Sequence, residues 1–308
     1  MKKTSVVLVL LAVLAGCSKT ARTGSLTQPT PTSSFPVTLA AANGSVTISS
    51  KPVAIVSLSP TATEMLFAIG AGAQVKAVDD QSNYPPQAPK TKLSSFQPNV
   101  EAIATYQPDL VVISGDLPGL SSSLHKLSIP VLVEPAAKGL DDSYAQIMQL
   151  GQATGHNKEA ATVVSGMKTR IQTILASAPK FDTPPTYYHE LDNTYFTATS
   201  HTFIGTVYGL LGMKNIADAA AKKASDYPQL SAEYIIQTNP QIIFLADTKC
   251  CGQSQASVQK RPGWNRITAV KDGRVIPLDD DIASRWGPRI VDFIQTVVNA
   301  LKDLKQAA

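Results

Sequence analysis

Asn157-Lys-Glu-Ala160-Ala-Thr-Val-Val164-Ser-Gly-Met167-Lys-Thr-Arg-Ile171-Gln-Thr-Ile174-Leu175-Ala-Ser-Ala178 is the stretch on which the fold turns. Ala160, Val164, Met167, Ile171, Ile174 and Leu175 recur at steps of three and four, which sets them on one stripe of a 3.6-residue period. Gly155 before the run and Pro179 after it are the punctuation expected at the two ends of a helix. At about 1.5 Å per residue, the run from 157 to 178 spans roughly 33 Å, about the width of a small domain. It stands between two halves of similar length and pattern, so it predicts a strut between an N-terminal lobe, 37–156, and a C-terminal lobe, 179–308.

Outward from the strut, short Val/Ile/Leu runs alternate with helical patterns. In the first half the strands are expected at Ala54 to Leu58, Val75 to Val78, Leu110 to Ser114 and Val131 to Val133. Helices are expected at Thr61 to Ile69, with a Thr61…Glu64 capping box, at Val100 to Ala104 and near Ser121 to Leu127. The second half repeats the scheme, with strands at Thr186 to Tyr188, Ile242 to Ala246 and Val275 to Pro277, and helices at Phe203 to Leu211 and Pro288 to Leu304. Continuous apolar strands alternating with helices specify an α/β protein whose parallel sheets are covered on both faces. Some 270 residues are enough for two cores rather than one, at about 100 to 150 residues per domain.

An internal repeat ties the halves together. The segment from Asn99 through Glu101, Ile103, Pro108 and Leu110 to Ser114 lies without a gap over Ser231, Glu233, Ile235, Pro240, Ile242 and Ala246, at a constant offset of 132. Each copy reads cap, acid, short helix, proline, strand. Glu101 and Glu233 therefore occupy equivalent places, one carboxylate in the first turn of a helix on each lobe. The helix dipole alone accounts for roughly 0.3–1 kcal/mol at such a position. A carboxylate also forms bidentate pairs with arginine, so two of them make a two-point dock.

The chain begins with Lys2 and Lys3, ten apolar residues from Val6 to Ala15, then Gly16 and Cys17. Such a run is too short for a bilayer, which takes about 20 residues, and has the layout of a secretion signal over 1–16. Leu14-Ala15-Gly16-Cys17 resembles the bacterial lipobox, in which the cysteine becomes an acylated first residue. Residues 17–36, rich in Ser, Thr and Pro, read as a flexible tether. Localisation outside the cytoplasm, with attachment to the membrane through the lipid alone, follows. Lysine and arginine number 27 against 23 acids, and two of the lysines lie in the leader, so the mature chain is nearly neutral and offers no case for nucleic acid.

With Cys17 lipidated, Cys250 and Cys251 remain as a pair in an oxidising compartment. Adjacent Cα atoms about 3.8 Å apart fall short of the ~4.4–6.8 Å that disulfides span. A strained vicinal disulfide is the reading adopted, with two free thiols as the alternative; either borders the carboxyl end of a strand, where ligands bind in open parallel sheets. Catalysis is not expected, because nucleophile elbow, zinc helix and phosphate loop are all missing. The four histidines, His125, His156, His189 and His201, lack ligand spacing, so neither a metal site nor a cofactor is expected.

Ile55-Val-Ser-Leu58-Ser-Pro60-Thr-Ala-Thr-Glu64, followed by Asp80-Gln-Ser-Asn83-Tyr84-Pro85-Pro86, resembles the class III solute-binding proteins of ABC importers. Arg261-Pro262-Gly263-Trp264 and Asp281-Ile-Ala-Ser-Arg285-Trp286-Gly-Pro288-Arg289 are similar to the same family's second lobe. The resemblance implies two Rossmann-like lobes joined by one long helix, and a monomer that captures cobalamin, a ferric siderophore or haem and delivers it to a permease with a cytoplasmic ATPase. It further implies that Glu101 and Glu233 dock on the permease, that Tyr84, Phe96, Tyr195 and Tyr227 line the cleft, and that Asp281 and Arg285 are polar cleft residues. A corrinoid of the vitamin B12 type is the leading ligand. For an anionic siderophore the candidate cations are Arg285, Arg289, Lys249 and Arg261; for haem the candidate axial groups are Tyr84 and His201. Phe96 and Tyr227 replace tryptophans, and Gln81 and Ser114 replace aromatics, of the cobalamin-binding pattern.

Overall fold

A computed structural model describes residues 35–220 and 225–307; the leader, Cys17 and nearly all of the tether lie outside the described residues. The described chain starts with a hairpin absent from the sequence reading. Its strands β1 (Val37–Ala41) and β2 (Gly44–Ile48) pair antiparallel. Phe35, assigned to the tether, already packs on the core.

The N-terminal lobe continues with β3 (Ile55–Leu58), α1 (Pro60–Ala68), β4 (Val75–Val78), α2 (Val100–Ala104), β5 (Leu110–Ile113), α3 (Leu120–Lys126) and β6 (Val131–Val133). Its four strands are parallel in the order β4-β3-β5-β6. The expected capping box of α1 does not form. Ser59 caps the helix, its Oγ accepting from the Ala62 N–H at 3.2 Å, and Pro60 holds the first helical position, where its fixed φ and missing N–H cost nothing. That start places Glu64 in the second turn, where it is 3% exposed and turned to the other lobe.

Next come α4 (Leu140–Thr154), also missed in the sequence, and the strut α5 (Asn157–Ala176). The C-terminal lobe holds β7 (Thr186–Glu190), α6 (Phe203–Gly209), β8 (Lys214–Asn215), α7 (Ala232–Thr238), β9 (Ile242–Leu245), α8 (Gln255–Gln259), α9 (Thr268–Lys271), β10 (Val275–Pro277), α10 (Asp280–Ser284) and α11 (Ile290–Gln306). Its parallel sheet has the order β10-β9-β7-β8, which read from β8 is the order of the first sheet. The 132-residue repeat thus puts β5 and β9 in the same place of two like-wound sheets, with Ile103 and Ile235 fully buried in the helices before them.

The strut buries Ala160, Val164, Met167, Ile171 and Ile174, the stripe that periodicity marks, with Leu175 half-buried at its end. It packs against α4 of the first lobe and α11 of the second. A Cβ on Gly151 of α4 would come within 2.5 Å of the Ala160 Cβ, so the two helices meet almost backbone to backbone. Lys168 then reaches over the Tyr144 ring of α4, and Arg170 pairs with Asp292 of α11 at 3.2 Å. The expectation of two separate cores needs correction. Each lobe has its own apolar cluster on one face of its sheet, but on the strut side one cluster runs through both lobes. The stripe of α5 is the reason, since it is covered by a helix of each lobe. Among the described residues no helix is long and apolar enough to cross a membrane.

Candidate functional site

In both sheets the strand order reverses between two neighbours, β3 and β5 in one lobe and β7 and β9 in the other. Ligands of open parallel sheets bind beyond the carboxyl ends of such strands. A cavity of about 270 Å³ lies there in the first lobe, lined by Leu58, Pro60, Gln81, Phe96, Ser114 and Leu117. Phe96 is 77% exposed, the most open of the large apolar side chains among the described residues. Leu117, which the sequence reading passed over, adds a second exposed apolar group from the loop after β5.

A second cavity of about 370 Å³ lies where the lobes meet, between Glu64, Phe67 and Tyr84 of the first lobe and Pro288 and Arg289 of the second. The Arg289 guanidinium sits 4.0 Å above the Tyr84 ring centroid. In the second lobe, residues 195–199 run antiparallel to 226–230, fixed by N–H donors from Thr197 to the Pro228 carbonyl and from Leu230 to the Tyr195 carbonyl. The ribbon exposes Phe196 and Tyr227. Tyr195 turns inward with a left-handed φ of 72°, its ring 5.6 Å from Trp264 and beneath the Arg261 guanidinium. Tyr195 and Phe196 stand side by side in the sequence, which does not say which of the two rings faces out.

Across the mouth runs a polar chain. Arg285 donates to Glu64 Oε1 at 2.8 Å, to Asn83 Oδ1 at 2.9 Å, to the Gln81 carbonyl at 3.0 Å and to Asp281 Oδ1 at 2.7 Å. It is 9% exposed, so the residue expected to meet ligand is spent on tying the lobes together. Asp281 accepts in addition from Asn83 at 3.0 Å and from Lys249 at 2.8 Å. Burial pushes the Asp281 carboxyl up, but the Lys249 hydrogen bond and the Arg285 charge outweigh it and hold it below the usual range. Arg289 donates to both oxygens of Glu64, and Arg261 grips Glu190 with two bonds, at 2.6 and 2.5 Å. Every cation offered for an anionic guest is therefore already paired with a carboxylate.

Two further acids lie near the carboxyl ends of strands. Glu134, directly after β6, is 4% exposed with Oε1 unpartnered, and burial alone pushes it up to about 8. Asp247, after β9, is fully buried with both oxygens unpartnered; burial first, then the charge of Glu190, push it to about 8. Cys250 and Cys251, in the turn after Asp247, are free thiols and not the bridge expected. The peptide between them is trans, and the Cys250 N–H is held by Asp280 at 3.0 Å, so the backbone does not bend to close one. Glu101 and Glu233 are exposed at matching positions of α2 and α7. Among the described residues no cluster of three or more His, Cys, Asp or Glu is arranged to hold a metal.

Residues 55–282 match the periplasmic binding protein family. The chain is 32% identical over 305 residues to the uncharacterized ABC transporter substrate-binding lipoprotein YvrC of Bacillus subtilis (strain 168), covering 96% of this chain and 95% of that one. It is 31% identical over 277 residues to a cobalamin-binding protein of Halobacterium salinarum, covering 87% of this chain and 74% of that one. The crystal structure of the periplasmic vitamin B12 binding protein of Vibrio cholerae superposes with a TM-score of 0.70 at 26% identity, over 83% of this chain and 98% of the other.

Proposed function

The chain belongs to the periplasmic binding protein family, and from that premise we propose that it captures a cobalamin-type corrinoid and hands it to an ABC permease. It is an extracytoplasmic carrier of a large chelated ligand, not an enzyme. Lipid attachment through Cys17 is part of the same proposal, supported by the lipoprotein relative of nearly equal length.

One observation carries the choice of ligand. Arg285, Arg289, Lys249 and Arg261 are all neutralised by carboxylates, whereas Tyr84, Phe96, Phe196 and Tyr227 stand exposed on the two lobes. An anionic siderophore would have to break the low-exposure pairs of Arg285, Arg289 and Arg261 to find charge, and breaking a buried pair costs about 3–5 kcal/mol; the half-exposed Lys249 alone is cheaply released. A broad macrocycle without strong net charge asks only for ring faces, which bury large areas at little conformational cost. The cobalamin-binding relatives support the same reading. Closure is small, because the strut and the shared apolar cluster fasten both lobes to one framework. Glu101 and Glu233 seat the loaded carrier on permease arginines.

Calorimetric titration of the secreted protein with cyanocobalamin tests the proposal. Saturable heat at one site per chain is expected; no heat with cyanocobalamin, but binding of a ferric hydroxamate or of haemin, overturns the corrinoid assignment.

A further inference from the structure

The turn after β9 carries two adjacent free thiols, Cys250 exposed and Cys251 half-buried. It is fastened from below. The Asp280 carboxylate accepts the N–H groups of Thr248 at 2.9 Å, Lys249 at 2.8 Å and Cys250 at 3.0 Å, together with the Thr248 hydroxyl at 2.7 Å. The Asp247 carbonyl accepts from the Cys251 and Gln253 N–H groups, and Gly252 turns the chain with φ +64°. These bonds fix the backbone of the turn, and the Cys250 and Cys251 side chains interact with one another on it. Partial desolvation and the adjoining Cys251 thiol push Cys250 up. Lys249, the preceding residue, binds Asp281, which binds Asn83 of the other lobe; the thiols therefore stand at the lip of the cleft.

We propose that Cys250 and Cys251 form a two-thiol binding site for soft, thiophilic centres of the trivalent arsenic class. Such a centre bonds two thiols at once and needs them as neighbours, which the fastened turn supplies. The step is a condensation. An arsenoxide, R–As=O, meets two S–H groups; two As–S bonds form, the As=O and both S–H bonds break, and the oxygen leaves with the two protons as one water. Arsenic stays at +3, and no oxidant or reductant takes part. The site is independent of which guest the cleft carries.

Phenylarsine oxide, with intact-mass spectrometry of the secreted full chain, tests it. One phenylarsenic adduct per chain is expected, surviving excess 2-mercaptoethanol and removed by dithiothreitol. Cys250→Ser and Cys251→Ser should each abolish it, whereas Cys17→Ser should leave it in place. Both cysteine side chains lie in a surface turn, and unchanged melting temperatures of the variants show that loss of the adduct is loss of the site. An adduct that persists in either single variant, one that 2-mercaptoethanol strips from the wild type, or no adduct at all overturns the assignment.

Discussion

The Glu64 carboxylate of α1 accepts from the Arg285 guanidinium at 2.8 Å, joining residues 221 positions apart and on different lobes. Its other oxygen accepts from Arg289 at 2.8 Å. With side-chain exposures of 2% for Glu64, 10% for Arg285 and 17% for Arg289, this is a desolvated three-membered tie and not a surface ion pair. Glu64→Ala takes from Arg289 the carboxylate it pairs with and leaves Arg285 with the Asp281 carboxylate alone. A loss of roughly 3–5 kcal/mol is expected from the cost of breaking a buried pair, read from urea unfolding at neutral pH. A loss below about 1 kcal/mol, the worth of an exposed pair, would refute the tie.

Two buried acids should make stability fall as pH rises from about 4 to about 8. Above about pH 6.5 the buried His189, which burial pushes down to about 3 and whose contribution is lost in acid, no longer opposes them. Glu134 and Asp247 have folded-state values of about 8, above those of the unfolded chain, so between the two values the folded state holds more protons. Their contribution is complete below the unfolded value and is lost through the folded one, at no more than about 1.4 kcal/mol per pH unit per group. Asp279 and Asp281 act in the opposite sense, since their values are lowered and their contribution is lost in acid. Glu134→Gln should flatten the slope between pH 5 and 8, measured as melting temperature against pH. An unchanged slope would show that Glu134 is ionised in the fold.

Phe96→Ala and Tyr227→Ala should each weaken binding of the guest by on the order of 1–2 kcal/mol, about tenfold in Kd. Because the rings are 77% and 50% exposed, the melting temperature should hardly change. Tyr195→Ala should do the reverse, lowering stability by removing the ring packed on Trp264 and Arg261. Calorimetry and thermal melts on the same three variants separate the two effects.

Gly151→Ala should destabilise the pairing of α4 with the strut, since the added methyl meets Ala160 at 2.5 Å. Overpacking of this kind costs about 1–3 kcal/mol. The deficit should appear in chemical denaturation.

Replacing Glu101 and Glu233 together by alanine should leave guest affinity intact and stop uptake in cells, because both side chains are exposed at the starts of their helices. Unchanged uptake by the double variant would end the docking proposal.

The strut, the parallel strands and the like halves were legible because each is written in local periodicity: steps of three and four for α5, unbroken Val/Ile runs for β3 and β5, and a gapless offset for β5 and β9. Helix α4 was passed over because its buried face includes Ser143, Gln146, Gly151 and Thr154, which carry no apolar signal. The capping box was misplaced because Ser59-Pro60 and Thr61…Glu64 both satisfy helix-start chemistry, and the choice between them depends on where Glu64 finds a partner.

The amino-acid sequence by itself determined two wound sheets on one helical frame, with an acid at the same place in each copy, because strand and helix periods are properties of neighbouring residues. Only the tertiary structure decided which rings face outward and which charges are free. Tyr195 turns in while Phe196 turns out, and Arg285 is consumed by Glu64, Asn83 and Asp281. Those outcomes depend on contacts between segments up to 221 residues apart, and no local pattern records the partner that a side chain meets when the lobes come together.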